Sequence, residues 1–222
     1  MKLYAVQPLS VYDLLCQEGL FHSRPLAYPD SHLNALEGRF ECTLAYDWLM
    51  ANMMARGLPR PHPEVYPIWA FYRWLGIKRP KPDLRSSAVK LPPELGRQVL
   101  MTVDIPEERV LLSDFFSWHS CLNYWHAGPV KASNDFDRRC RKAIDYWDRG
   151  EPLPEPFHQE LVASWDLVLD LAAARRIQHS RKDDQVIQAT FWELGADEVT
   201  EAVAFGGGEV RQRLPIPRRV RS

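Results

Sequence analysis

The residues with the most chemistry to offer lie at positions 109–125, RVLLSDFFSWHSCLNYW. A short apolar run ends at Ser113 and Asp114, and residues 115–126 then hold two Trp, two His, an Asn and a Cys. Hydrogen-bonding groups sit there among rings able to stack on a flat ligand. A plain core accommodates that mixture poorly, because buried polar groups need partners. Asp114 has two readings. As the N-cap of a following helix, its carboxylate accepts hydrogen bonds from free backbone N–H groups, the commoner fate of such a residue. Facing a pocket at a sheet end, it binds a ribose hydroxyl or an amine. His119, tied to Asp114 or Asn123, is a candidate for ligand binding or proton transfer, against the alternative of a satisfied core histidine. His126 lies seven residues further on. On a helix that is two turns, about 10.5 Å, too far to share a metal ion with His119. No metal is expected.

Three other places carry candidates. Trp69, with Phe71, brings rings to an apparent strand and, like Trp118, either packs a core or stacks on a planar base. In QATFWE, residues 188–193, alternation puts Gln188 and Thr190 on one face. Gln188 faces solvent or, if that face lines a pocket, a ligand, and Glu193 at the strand end is a candidate general base or stabiliser of positive charge. The RPKPDLR stretch, residues 79–85, is either a solvated loop or a phosphate clamp led by Arg85 with Arg79 or Lys81. No GxSxG, HExxH, P-loop or Gly-rich dinucleotide turn is present.

The elements that must position these residues follow from periodicity. LYAV, residues 3–6, is a strand. Residues 10–18 form a helix with Ser10 as N-cap and Gly19 as its stop, and a loop spans 22–40. A second helix covers 43–56, and strands cover 67–75 and 95–105. A turn at 106–109 leads into VLLSDF, with a helix over 116–125 behind Asp114. Residues 131–156 are partly helical, 157–176 make the longest helix, 186–194 a strand and 196–205 a short closing helix. Helices and strands mix without regular βαβ alternation, so the expected fold class is α+β with a mixed or antiparallel sheet flanked by helices. One domain is expected over residues 1–205, followed by a flexible Gly/Pro/Arg-rich tail over 206–222.

Composition narrows the setting. With 45% hydrophobic and 26% charged residues the chain is folded rather than disordered. A net charge of −1 supplies no global attraction to nucleic acid, so any nucleic-acid contact would fall to the Arg-rich tail. Four scattered cysteines without CxxC spacing indicate neither a zinc knuckle nor a disulfide framework. The start shows no secretory leader pattern, and no run approaches the roughly 20 apolar residues of a membrane span. A cytoplasmic protein with reduced thiols and no membrane partner is expected.

Several segments together resemble the bacterial DUF3841 family. They are LYAVQPLSVYDLLCQEGLF, AYDWLMANMMARG, YPIWAFYRW, RPKPDLR, IPEERVLLSDFFSWHSCLN, SWDLVLDL and IQATFWEL. The VLLSDFxxWHxxLN segment is the most specific of them. The strand LYAVQ, a helix and a closing Gly-Leu are also similar to the start of ADP-ribosyltransferase-like proteins, including the DarT and RNA 2′-phosphotransferase groups. That resemblance implies a nucleotide partner, NAD as cofactor, and a cleft lined by Gln7, Trp69, Trp118, Asn123 and Gln188. It further implies Arg85 on phosphate, with Asp114, His119 and Glu193 doing the chemistry. Ala5 stands where those groups often carry a first-strand His. The reading from another class is a non-catalytic protein that grips a small ligand or partner.

Overall fold

The computed structural model describes residues 1–24, 39–87, 89–91, 96–144, 150–178 and 185–217. The chain opens with β1 (Lys2–Pro8), α1 (Leu9–Glu18) and β2 (Leu20–His22), then α2 (Phe40–Ala55) and β3 (Ile68–Arg73). It continues through β4 (Gln98–Asp104), β5 (Leu111–Asp114), α3 (Phe115–Leu122) and α4 (Val130–Ala143). After these come α5 (Phe157–Ser164), α6 (Leu171–Gln178), β6 (Ile187–Phe191), β7 (Glu193–Gly195), β8 (Val199–Phe205) and β9 (Gln212–Leu214).

Seven strands form one sheet in the order β5-β6-β3-β1-β4-β8-β9. Every neighbouring pair in it is antiparallel, and β2 with β7 makes a second, two-stranded ribbon. The fold is therefore α+β, a single domain built on a large antiparallel sheet. Period-two alternation divides the side chains. Leu3, Ala5, Val99 and Met101 pack on α1 through Val11 and Leu15. On the opposite face Phe71 and Leu100 lie under Trp74, Leu84 and Val89. Further along that face, Leu111 and Trp69 meet α2, α3 and Trp165.

Local signals placed much of this correctly. Helix α1 starts at Leu9, so Ser10 lies inside it and caps nothing, while Gly19 ends it at φ 77° as expected of a left-handed C-cap. The loop expected over 22–40 falls, from 25 to 38, outside the described residues.

Four expectations need correction. Residues 157–176 are not one helix: a 3-10 turn, Trp165–Val168, separates α5 from α6. The fully buried Trp165 donates its indole N–H to Trp125 O (3.0 Å), and Asp170 accepts from Ala173 N (2.9 Å) to start α6 afresh. Residues 196–205 are not a closing helix either. Only Ala196–Glu198 is helical, and β8 follows between β4 and β9. Two flanking strands outweigh the helix propensity of its Ala and Glu residues. The strand expected over 186–194 also bends at Trp192, whose indole donates to Leu58 O (3.0 Å), so Glu193 belongs to the small ribbon. Gly206, Gly207 and Gly208, all at positive φ, turn the chain into β9. Part of the segment expected as a tail thus adds an edge strand to the sheet.

Candidate functional site

The first half of the Trp- and His-rich run builds a joint between sheet and helix. Asp114, fully buried at the end of β5, is the N-cap of α3. Its Oδ1 accepts from both the backbone N and the Oγ of Ser117 (2.9 Å each), and Oδ2 accepts from Gln185 Nε2 (3.1 Å). Trp118 is buried with its ring 5.0 Å from that of Trp69 and 5.7 Å from that of Tyr46. Trp69 Nε1 donates to Tyr46 Oη (3.2 Å), and burial pushes the Tyr46 hydroxyl pKa well above the usual tyrosine value. The aromatic wall is packed against itself.

The remaining candidates are spread over the molecule. His119 is exposed on α3, with Nδ1 donating to Phe115 O (2.7 Å) and its ring 4.5 Å from that of Phe115. Asn123 Nδ2 donates to His119 O (2.7 Å). Glu193 pairs with Arg109 (3.4 Å) and His22 (3.3 Å) on the small ribbon. Asp114 is in register with Ile187 at the start of β6, whereas Glu193 lies beyond the end of that strand. Extended chain from Ile187, beside Asp114, to Glu193 spans up to about 20 Å, and the two carboxylates occupy opposite ends of β6. Gln7 is buried in β1 opposite Val99. Gln188, also buried, faces Ser113 across β5 and β6, and neither Gln188 Oε1 nor Ser113 Oγ finds a hydrogen-bond partner among the described residues. Arg85 is exposed and forks onto Asp83 (Nε to Oδ1 3.0 Å, Nη2 to Oδ2 2.7 Å), holding that carboxyl well below the usual carboxylate range.

The second half of the run makes a different object, the wall of a cleft of about 850 Å³. Arg39, Phe40 and Glu41 line it from the start of α2, and Ser120 and Asn123 from α3. Tyr124, Trp125 and His126 follow in the turn after α3, with Ser133, Phe136, Asp137, Cys140 and Arg141 from α4 and Leu153 and Leu161 beyond. Of the residues singled out from sequence as candidates, Asn123 is the one that lines this cleft.

The turn itself is strained. Tyr124 N bonds Cys121 O (3.0 Å) and Trp125 N bonds Ser120 O (2.8 Å), a helix ending that puts Tyr124 at φ 52°. Glycine is usual there, and a side chain in that conformation costs about 1 kcal/mol. Compensation comes from the far end of the tyrosine. Its Oη accepts from Leu153 N (3.0 Å) and bonds His158 Nδ1 (2.6 Å), while its ring lies 5.2 Å from that of Phe40. Tyr124 thereby links the start of α2, the end of α3 and the chain at Leu153 and His158 into one wall.

Electrostatics define what the cleft can do. Burial pushes the Cys140 thiol pKa up, which keeps it protonated and a poor nucleophile at neutral pH. Burial pushes the His126 pKa down, favouring a neutral imidazole. Trp125 leaves 62% of its surface open, an indole face available for stacking. Arg39 and Arg141 bring two positive charges and Glu41 and Asp137 two negative ones, so the lining is balanced. Among the described residues no cluster of three or more His, Cys, Asp or Glu could hold a metal ion. None of their helices is long and apolar enough to cross a membrane.

The sequence reading overlooked Tyr124, Ser133, Phe136, Leu153 and His158. A tyrosine directly after a helix, where glycine is expected, is the one local signal that could have found the turn. Nothing local joins His158 to Tyr124 across 34 residues.

Comparison with known proteins supplies a family. The family model DUF3841, described as a domain of unknown function, matches residues 2–200. No curated protein and no solved structure matches the chain.

Proposed function

The protein belongs to the DUF3841 family, and we propose that it binds a small, flat, polar ligand of the nucleoside or nucleotide class in the cleft between α2, α3, α4 and α5. The observation that carries this reading is the cleft itself. At about 850 Å³ it falls within the range of small-molecule sites, and it combines an open indole, Trp125, with hydrogen-bonding groups on Asn123 and His126. Arg39 and Arg141 offer guanidinium groups to a phosphate, while Glu41 and Asp137 offset them. That balance favours a nucleoside or monophosphate over a triphosphate.

The likeness of the first strand and helix to ADP-ribosyltransferase-like proteins supports a catalytic reading, with NAD as the ligand and Asp114 or Glu193 acting on its ribose. Binding is preferred because those carboxylates lie at opposite ends of β6, one of them capping a helix. Thermal unfolding across a panel of adenosine, AMP, ATP and NAD tests the choice. One member is expected to stabilise the protein, by about 2.7 kcal/mol at a hundredfold excess over Kd. Trp125→Ala is expected to abolish the shift, and labelled NAD to be neither consumed nor transferred. No shift with any member overturns the binding reading. Label transfer that Glu193→Gln abolishes replaces it with the transferase reading.

A further inference from the structure

Within the cleft, the imidazole of His126 is held in one orientation and one tautomer. Ser133 Oγ lies 3.2 Å from His126 O and 3.2 Å from His126 Nδ1. A hydroxyl has one proton to give. Both contacts are hydrogen bonds only if that proton goes to the carbonyl and the ring donates Nδ1–H back to Oγ. The proton of the neutral ring then sits on Nδ1, and Nε2 carries a lone pair that makes no hydrogen bond among the described residues. Packing fixes the ring as well. Its centroid is 5.0 Å from that of Phe136 at 31°, and a Cβ at Gly128 would stand 3.0 Å from Cε1, close enough to press the ring aside by a few tenths of an ångström.

We infer that His126 Nε2 is the proton acceptor of the cleft, taking a hydrogen bond from an amine or hydroxyl of the bound molecule. This rests on the cleft being the ligand site and adds which end of the ligand faces this wall. The donor-bearing end, the exocyclic amine of a base or a sugar hydroxyl, meets Nε2, because a phosphate there would set acceptor against acceptor. The phosphate of a monophosphate would then lie toward the arginines.

Charged and titratable groups reach this region from three helices. Helix α4 brings Asp137, Arg139, Cys140 and Arg141, α5 brings Glu160, and α2 brings Arg39 and Glu41. Arg139 and Glu160 are bonded to each other. Burial outweighs the upward pull of Glu160 and Asp137. Protonation at acid pH turns Nε2 into a donor, so binding of a donor-bearing ligand weakens as pH falls through the lowered pKa of the folded ring.

Two measurements on the full chain test this. Nitrogen-15 shifts of the His126 side chain distinguish a protonated ring nitrogen from a bare one. Protonated Nδ1 and bare Nε2 are expected at neutral pH. Carbethoxylation by diethyl pyrocarbonate then probes access. Nε2 attacks the carbonyl carbon, the bond to the ethyl carbonate leaving group breaks, and that group departs with the Nδ1 proton to yield carbon dioxide and ethanol. Peptide mass spectrometry is expected to find His126 modified, with the rate reduced about tenfold by adenosine or AMP at a tenfold excess over Kd. A proton on Nε2, or a His126 that the reagent does not reach, overturns this inference and leaves the binding panel to stand on its own. The expected tautomer and modification, with no member of the panel either stabilising the protein or slowing the reaction, leave the proton acceptor in place and overturn the nucleotide reading. If adenosine or AMP stabilises the protein yet leaves the His126 rate unchanged, the ligand does not meet Nε2 and this inference fails alone.

Discussion

The two halves of the Trp- and His-rich run look alike in sequence and behave as opposites in the fold. In the first, Asp114 and Trp118 are turned inward. The carboxylate serves Ser117 and Gln185, and the indole packs on Trp69 and Tyr46. In the second, the chain leaves α3 through a strained Tyr124, exposes Trp125 and presents His126 to a cleft. A mixture of aromatic and polar residues therefore has two physical origins. One is a joint whose polar atoms are satisfied inside the protein; the other is a surface whose groups are held in place with capacity left over.

Substitutions in each half should separate stability from binding. Trp118→Ala removes the largest buried side chain of the first half and is expected to lower stability by about 4 kcal/mol in denaturant unfolding. Asp114→Ala should lower it by about 2 to 3 kcal/mol, since the α3 cap is lost and the Gln185 amide loses one acceptor. Asp114→Asn, which keeps an acceptor, should recover part of that loss. If Asp114→Asn instead abolished ligand binding at unchanged stability, the contrast between the halves would collapse.

Tyr124→Phe keeps the ring but leaves the Leu153 amide without its acceptor, for an expected loss of about 2 kcal/mol. Unlike the first two, it should also weaken nucleotide binding, because the wall it braces is the cleft's own. Calorimetry showing full-strength binding in that variant would shift the site away from this turn.

The smallest effect is the most diagnostic. His126→Gln should change stability by less than about 0.5 kcal/mol at neutral pH. Its signature lies in acid. The folded pKa of His126 is below its ordinary value of 6.5, so at lower pH the unfolded chain binds more protons. That contribution to stability is fully present above about 6.5 and is lost as pH falls through the lowered folded pKa. Unfolding curves of wild type and His126→Gln should therefore separate below pH 6.5, the wild type losing more. Parallel curves would mean that the imidazole is solvated like any surface histidine.

Much of the sheet was legible because its signals are local. In β4 the strict alternation of Val99, Met101 and Val103 needs nothing beyond its own residues, and the Gly19 stop of α1 is a property of one backbone position. The Asp114 cap was legible for the same reason, since a cap and its helix are contiguous. Elements that depend on neighbours were misjudged. Residues 199–205 carry helix-forming Ala and Glu, yet they lie between β4 and β9 and form a strand. The apolar spacing of 157–176 continues across a break that Trp165 and Asp170 impose through tertiary and capping bonds. Glu193 looked like the end of a pocket-lining strand until the bend at Trp192 carried it to the other ribbon.

By itself the sequence determined the fold class, the family and the place where polar and aromatic groups concentrate, because composition, periodicity and capping act within a few residues of one another. Only the tertiary structure decided which of those groups are turned inward and which line the cleft. The cleft draws on residues from Arg39 to Leu161, and its wall stands because Tyr124 reaches Leu153 and His158. Such contacts pair residues far apart along the chain, where no local propensity or spacing can specify the partner.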